Sequence, residues 1–108
     1  MHLEMAELER VAAMFRAFAE STRLAILQEL KQGEMTVSAL VERLPTSQAN
    51  ISKQLKMLHD VGVLSRRKDG SQVFYQIADP MVFELCGLVC GKLNRDIQRV
   101  RELDDLKF

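Results

Sequence analysis

The sequence is poor in the residues that bind zinc, with two histidines and two cysteines among its 108 residues. A structural zinc site needs four nitrogen or sulfur ligands that converge on one point. His2 lies next to the N-terminus and His59 in the middle of the chain, and neither is close in sequence to Cys86 and Cys90. We therefore expect both histidines to be solvated, and we assign no metal ligands from them.

The chain also lacks long apolar runs. No run approaches the roughly 20 apolar residues that span a bilayer, and the acidic start, Met1 to Glu7, lacks the basic flank of a signal peptide. We therefore expect a cytoplasmic protein that has no membrane partner and keeps its thiols reduced. With 47% hydrophobic and 28% charged residues, the composition predicts a single globular domain over residues 1–108.

Net charge is zero, but positive charge is concentrated in the middle third of the chain. Residues 36–75 carry six basic and three acidic side chains, a net charge of +3, whereas residues 1–35 carry −2 and residues 76–108 carry −1. A fold that gathers these cations on one face suits a partner with phosphates. No nucleophile–base pair, phosphate-binding loop or pair of carboxylates is evident, so we do not expect an enzyme.

Hydrophobic periodicity predicts helices in the first third of the chain. Apolar residues at steps of three and four predict a helix over about 3–19. A second, strongly apolar helix is predicted to begin at a cap, Ser21 or Thr22, and to end at Gly33.

A helix-turn-helix followed by a wing is predicted for the middle of the chain. Thr36 is predicted to cap a helix over about 37–43, and Ser47 to cap a second helix over about 48–61 that ends at Gly62. A short break that contains a proline separates the two helices. Residues 63–68 and 72–78 then have the pattern of two short strands, with Asp69-Gly70 as the hairpin turn. The predicted fold is mainly α with a β wing: a winged helix-turn-helix of five helices and one two-stranded β-hairpin.

The last predicted helix begins at Asp79-Pro80, an N-cap followed by proline, and runs to about residue 103. At 1.5 Å per residue it is about 37 Å long. A helix of this length cannot be buried in so small a domain, so we expect part of it to pack against a partner.

The fourth helix has an outer face that suits a DNA groove. Ile51, Leu55 and Leu58 lie within about 60° of one another and form an inner face. The opposite face is slim, polar and basic, as a helix that enters the major groove must be. The residues predicted to contact DNA from this helix are Ser47, Gln48, Ala49, Asn50, Ser52, Lys53 and Lys56.

The hairpin adds three consecutive cations before its turn, Arg66, Arg67 and Lys68. A basic tip can follow the DNA backbone or enter a minor groove. Alone, the helix can be a polar surface helix and the cations a solvated strand. Their combination and order favour DNA binding. The alternative is a protein-interaction module that uses the same face on a protein partner.

Three parts of the chain resemble the ArsR/SmtB family of winged-helix repressors. Residues 19–27 (Ala-Glu-Ser-Thr-Arg-Leu-Ala-Ile-Leu) resemble the second helix of the family, and residues 46–58 resemble its recognition helix. Residues 60–64 and 66–75 resemble the entry to its wing and the wing itself. The resemblance covers nearly the whole chain.

The resemblance implies a DNA-binding repressor that regulates transcription from an inverted-repeat operator and releases it when an inducer binds. It implies a homodimer whose interface is formed by the helices over about 3–19 and 80–103. It further implies that the base-facing positions are Gln48, Ala49, Ser52 and Lys53. Ser47, Asn50 and Lys56 would then support them at phosphates or groove edges.

The sensing sites common in this family do not carry over. The stretch that matches its Cys-x-Cys metal site, Met35 to Leu40, has no thiol. The last helix has Asp79 but no histidine for the zinc site of the family, and the second helix has no cysteine for its persulfide site. A sensing site, if one exists, falls on Cys86 and Cys90.

Cys86 and Cys90 are four apart, so they share one helix face with Cβ atoms about 5–6 Å apart. Their thiolates can bind a thiophilic ion such as As(III), Cu(I) or Cd(II), or be oxidised. As(III) favours three sulfurs, so a thiol of a partner chain would have to complete its site. The alternative is that both cysteines only pack in the apolar stripe of this helix, which contains Val82, Phe83, Val89, Leu93, Ile97 and Val100. Gly87 and Gly91 would flank this stripe and allow another backbone to approach closely. No cofactor is required.

Overall fold

The structure, a computed structural model, describes residues 2–97 and 106–108. Its elements follow the predicted order of a winged helix-turn-helix, and the predicted fold class is confirmed. They are α1 (Met5–Phe18), α2 (Ser21–Leu30), β1 (Met35–Thr36), α3 (Val37–Arg43), α4 (Gln48–Asp60), β2 (Leu64–Asp69), β3 (Gln72–Ile77) and α5 (Met81–Ile97). Residues 98–103, predicted as the end of the last helix, lie outside the described residues.

The cap of α2 is not the one that the sequence predicts. Glu20 precedes the helix in an extended conformation, and its carboxylate accepts the N–H of Thr22 at 2.9 Å and of Arg23 at 3.1 Å. These bonds, the one from Thr22 above all, lower the pKa of Glu20. The prediction of Ser21 or Thr22 was wrong because glutamate, although rare as a cap, satisfies the same orphan N–H groups. The helix itself ends at Leu30, before Gly33.

The other predicted caps are confirmed. Thr36 Oγ1 accepts the Ala39 N–H at 3.1 Å, and Asp79 Oδ1 accepts the Met81 N–H at 2.9 Å, so α3 and α5 begin where the sequence predicts to within a residue. At the end of α4, Gly62 adopts φ 83° and donates its N–H to the His59 carbonyl at 3.0 Å. This left-handed glycine ends the helix, as predicted.

The wing belongs to a three-stranded antiparallel sheet of order β1-β3-β2, one strand more than the predicted hairpin. Met35 pairs with Tyr75 and Thr36 with Phe74. A two-residue strand carries no readable alternation, which is why the sequence did not show it. The turn also lies one residue later than predicted, because Asp69 pairs with Gln72 and Gly70 takes φ 63°.

The chain divides into two compact units, Met1–Ala78 and Asp79–Phe108. In the first unit the completely buried side chains come from α2, α3 and α4: Ile26, Leu27, Leu40, Ile51, Leu55 and Leu58. The predicted inner face of α4 is thereby confirmed. Along α1 only its C-terminal end, at Ala17 and Phe18, is buried, whereas Leu8 and Phe15 are 44% and 57% exposed.

The second unit contains α5. Val82 and Cys86 are buried, whereas Leu88, Val89 and Leu93 are exposed. The apolar stripe predicted for this helix is therefore buried toward the start of α5 and exposed further along it.

Candidate nucleic-acid interface

The outer face of α4 carries most of the predicted DNA contacts and is open to solvent. Ser47 caps the helix by accepting the Asn50 N–H at 3.1 Å. The exposed predicted residues are Ser47, Gln48, Ala49, Ser52, Lys53 and Lys56. Ala49, Ser52, Lys53 and Lys56 lie on the face opposite the buried one. Ser47 and Gln48 lie at the N-terminal end of the helix, so every predicted contact on this helix except Asn50 is open to solvent.

Asn50 is half-buried, and both ends of its side-chain amide are already bonded. Its Nδ2 donates to Thr46 Oγ1 at 3.0 Å, and its Oδ1 accepts Gln54 Nε2 at 2.9 Å. These bonds engage one of the two Nδ2 hydrogens and one of the two Oδ1 lone pairs of the amide. The geometry therefore suits Asn50 to supporting the start of α4.

Gln54 leads from Asn50 to a buried arginine in α2. Arg23 is 9% exposed, and its Nη1 donates to Gln54 Oε1 at 2.7 Å. Its Nε and Nη2 donate to the carbonyls of Ala17 and Arg16 at 2.8 and 2.9 Å. These carbonyls close α1, where the helix dipole favours a cation.

The result is a continuous chain of hydrogen bonds, the buried polar chain, that links the end of α1 to the start of α4 through Arg23, Gln54, Asn50 and Thr46. Every described buried side-chain nitrogen or oxygen has a hydrogen-bond partner. The site prediction omitted Arg23, Gln54 and Thr46. Gln54 left a readable signal, because a glutamine on the apolar face of an amphipathic helix must find a partner inside the protein.

The two lysines of the outer face differ in their surroundings. Lys56 Nζ pairs with Asp60 Oδ2 at 2.9 Å. This hydrogen bond is the main reason why the pKa of Asp60 is lowered, with smaller effects from the charges of Lys56, His59 and Arg66. Lys53 has no ion-pair partner within residues 2–97 and 106–108. Of the two, Lys53 is the cation more available to DNA.

The three wing cations also differ, because side chains alternate between the faces of a strand. Arg66 and Lys68 lie on one face of β2 and are exposed. Arg67 lies on the other face, where its Nε donates to Glu34 Oε2 at 2.9 Å and its Nη2 donates to Glu34 Oε1. This pairing lowers the pKa of Glu34 and raises that of Arg67, chiefly through the hydrogen bonds.

The two cysteines of α5 are free thiols, one buried and one half-buried. Burial raises the pKa of the Cys86 thiol, and the neighbouring Cys90 adds to the effect. Since the thiolate is the form that binds metals and attacks disulfides, Cys86 is a weak nucleophile at neutral pH. No group of three or more His, Cys, Asp or Glu side chains is arranged for a metal ion in the described parts of the chain.

The glycines next to these cysteines are not required by packing within the described residues. An added Cβ would meet nothing within 4 Å at Gly87, and at Gly91 only the Arg95 guanidinium at 3.5 Å.

No described helix is long and apolar enough to cross a membrane.

The fold and the exposed face of α4 define a winged helix-turn-helix regulator of the DNA-binding class. The sequence model of the family described as "Bacterial regulatory protein, arsR family" matches residues 20–66. The chain is 38% identical over 86 residues to an uncharacterized HTH-type transcriptional regulator of Methanocaldococcus jannaschii, an alignment that covers 79% of this chain and 97% of that one. The chain belongs to the ArsR family.

Two further proteins illustrate the similarity. The "Probable mercury resistance operon repressor" of Streptomyces lividans is 40% identical over 77 residues, which cover 71% of this chain and 62% of the relative. The solution structure of a homodimeric winged helix-turn-helix DNA-binding domain from Mycobacterium bovis superposes with a TM-score of 0.76 at 29% identity and covers 92% of each chain. The family consists of DNA-binding transcriptional regulators, so the prediction that the chain is not an enzyme is confirmed.

Proposed function

We propose that the chain is a cytoplasmic, homodimeric transcriptional repressor that binds an inverted-repeat operator. The observation that carries this proposal is the outer face of α4, which is slim, polar, basic and exposed. A helix with a face of this kind fits the major groove of B-DNA and can read its base edges.

On this proposal Gln48, Ala49, Ser52 and Lys53 face the bases. The Ala49 methyl suits a thymine methyl, and the polar side chains suit hydrogen bonds to base edges. The phosphates are met by Ser47 and Lys56 and by Arg66 and Lys68 of the wing. The N-terminus of α4, which lies beside Ser47, also favours a phosphate.

The proposed dimer interface comprises α1 and α5, the helices that the sequence predicts over about 3–19 and 80–103. Support comes from large apolar side chains that are exposed on both helices. On α1 these are Met5, Leu8, Val11 and Phe15, and on α5 they are Met81, Leu88, Val89 and Leu93. Apolar patches of this kind favour association, and a two-fold dimer reads an inverted repeat. The M. bovis relative is homodimeric.

The test is an electrophoretic shift assay of the full chain on DNA from its own promoter and on random DNA, at two salt concentrations. We expect Lys53→Ala to weaken operator binding by about tenfold, since a good base contact contributes about 1–3 kcal/mol. Lys107→Ala removes an exposed lysine of the other unit and is the matched control. If the two variants bind alike, the groove assignment is wrong. Binding that is indifferent to DNA and salt would instead support the protein-interaction module.

As a second candidate function, we propose that a thiophilic metal or metalloid releases the operator by binding Cys86 and Cys90. The support is that the two free thiols lie one helical turn apart, and that the S. lividans relative is named for mercury resistance. Each thiol loses its proton to solvent as its sulfur–metal bond forms. Because the pKa of Cys86 is raised, metal-induced release strengthens as pH rises toward that pKa.

The matching experiment follows operator release by As(III), Cd(II), Cu(I), Hg(II) and a thiol oxidant in the wild-type protein and in the double variant Cys86→Ser/Cys90→Ser. A wild-type response that survives the double substitution removes the thiols from sensing. The cysteines would then only pack, and the repressor would have no thiol-based sensor.

A further inference from the structure

Arg67 was predicted as one of three wing cations that hold the DNA backbone, but the structure gives it another set of contacts. Both oxygens of Glu34 receive hydrogen bonds from its guanidinium. The guanidinium also lies over the Phe74 ring, 4.4 Å from its centroid, and its Nη1 is 3.7 Å from Asp69 Oδ2. The charge of Arg67 is thus paired within the protein, and two of its five N–H donors are hydrogen-bonded there.

We infer that Glu34 and Arg67 form a clamp that positions the wing for DNA binding, and that Arg67 is a positioning residue and not a phosphate contact. The inference rests on the proposed function, because it concerns how the same DNA-binding surface is held together.

The register of the sheet explains why these two residues meet. Arg67 of β2 is paired with Phe74 of β3, which is paired with Thr36 of β1, so the three side chains lie side by side across the sheet. Glu34 precedes Thr36 by two residues and shares its face. The clamp therefore spans the sheet from one edge strand to the other, over the central strand.

The clamp joins the two edge strands of the sheet, which pair with β3 and not with each other. β1 has only two residues, so few backbone hydrogen bonds hold it to β3. The same strand leads directly into α3, whose first turn is capped by Thr36. By tying β2 to β1, the clamp fixes the wing relative to the first helix of the helix-turn-helix. Cation–π and bidentate carboxylate contacts both favour arginine over lysine at this position.

For a variant in which Glu34 is neutral, the clamp and simple electrostatics predict opposite changes in operator affinity. A carboxylate near DNA repels phosphates, so neutralising Glu34 should by charge alone tighten operator binding. If the carboxylate holds the wing, Glu34→Gln should instead weaken operator binding, by about threefold to tenfold. Glu42→Gln, which neutralises an exposed carboxylate of α3, is the matched control and should bind as well as wild type or better.

The salt dependence of binding separates a positioning role from a phosphate contact. The slope of log K against log salt is negative, and loss of one phosphate contact decreases its magnitude by about 0.9. We expect this decrease for Arg66→Met, whereas Arg67→Met should weaken binding with an unchanged slope. The double variant Glu34→Arg/Arg67→Glu restores the pair with reversed charges, and it should bind more tightly than Arg67→Glu alone.

Operator titrations of these variants are combined with amide hydrogen exchange of the free proteins. The clamp predicts faster exchange of the β1 and β3 amides in Glu34→Gln but not in Glu42→Gln, and this measurement needs no DNA. Failure of the wild type to bind any DNA would overturn the proposed function, while exchange would still decide whether the clamp holds the sheet. Three results would each overturn the clamp: unchanged amide exchange in Glu34→Gln, tighter operator binding by Glu34→Gln, or a weaker salt dependence of binding in Arg67→Met.

Discussion

Arg23 and Arg67 each link two elements of the DNA-binding half of the chain, one beneath α4 and the other on the wing. Arg23 is 9% exposed and bonded to Gln54 and two backbone carbonyls, whereas the side chain of Arg67 is 49% exposed and bonded to Glu34. Burial decides what the loss of each costs. Inside the protein a broken hydrogen bond leaves an orphan polar group, but at the surface water replaces the lost partner.

The two arginines also differ in what their partners do. The chain of bonds from Arg23 ends at Thr46 and Asn50, at the start of the helix proposed to read bases. The bonds of Arg67 end at Glu34, which leads into β1. We therefore expect the buried contact to govern folding and helix placement together, and the surface contact to govern wing placement alone.

The largest expected effect comes from Arg23→Met. The variant leaves Gln54 and the carbonyls of Arg16 and Ala17 without their partner, and we expect a loss of about 3 kcal/mol in the free energy of unfolding. Urea denaturation followed by circular dichroism measures it. Arg67→Met is the exposed counterpart and should leave the denaturation midpoint close to that of wild type. If both variants lose the same free energy of unfolding, burial does not decide what the loss of each arginine costs.

Gln54→Leu tests whether the buried polar chain acts as a unit. The substitution keeps the bulk of the side chain but takes one partner each from Arg23 and Asn50, and we expect a loss of about 1–2 kcal/mol. Operator binding should weaken as well, because Asn50 no longer holds the start of α4. Gln28→Leu, at an exposed position of α2, is the control. Normal operator affinity in Gln54→Leu would show that the chain stabilises the fold without placing the helix.

The smallest expected effect concerns Glu20, which caps α2 and whose Oε2 lies 4.0 Å from Arg23 Nη1. Its pKa is lowered in the folded protein, so its contribution to stability is present above the ordinary carboxyl pKa and is lost as pH falls through the folded value. Glu20→Gln should cost about 1 kcal/mol near neutral pH, as a weakened cap does, and less in acid. Denaturation at pH 7 and pH 3 measures the difference. A cost that is the same at both values would assign the effect to packing and not to the carboxylate charge.

Much of the fold could be predicted because its signals are local. The caps at Thr36 and Asp79 and the inner face formed by Ile51, Leu55 and Leu58 depend on residues within one or two turns of each other. The third strand could not be predicted, since Met35 and Thr36 are too few to show a period. Glu20 was missed as a cap for a different reason: its side chain performs a task that shorter residues usually perform.

The candidate site was predicted in composition but not in the roles of all its residues. Helical spacing sufficed to place Ala49, Ser52 and Lys53 on one outer face. Spacing does not show that the side chain of Asn50 is already bonded on both sides, because one of those bonds depends on the placement of Gln54 by Arg23. The difference between Lys56 and Lys53 could be predicted, because Lys56 has an acid four residues further along the helix, at Asp60, and Lys53 does not.

The sequence by itself determined the order of the helices and of the two wing strands, the caps at Thr36, Ser47 and Asp79, and the slim polar face of α4, because the periods of helix and strand and these capping bonds involve near neighbours. Only the tertiary structure decided which charged groups remain available to a partner. Arg23 finds Gln54 31 residues away and Arg67 finds Glu34 33 residues away. Electrostatic attraction and hydrogen bonding depend on the distance between two groups in space. For residues this far apart in the sequence, their separation along the chain does not predict that distance.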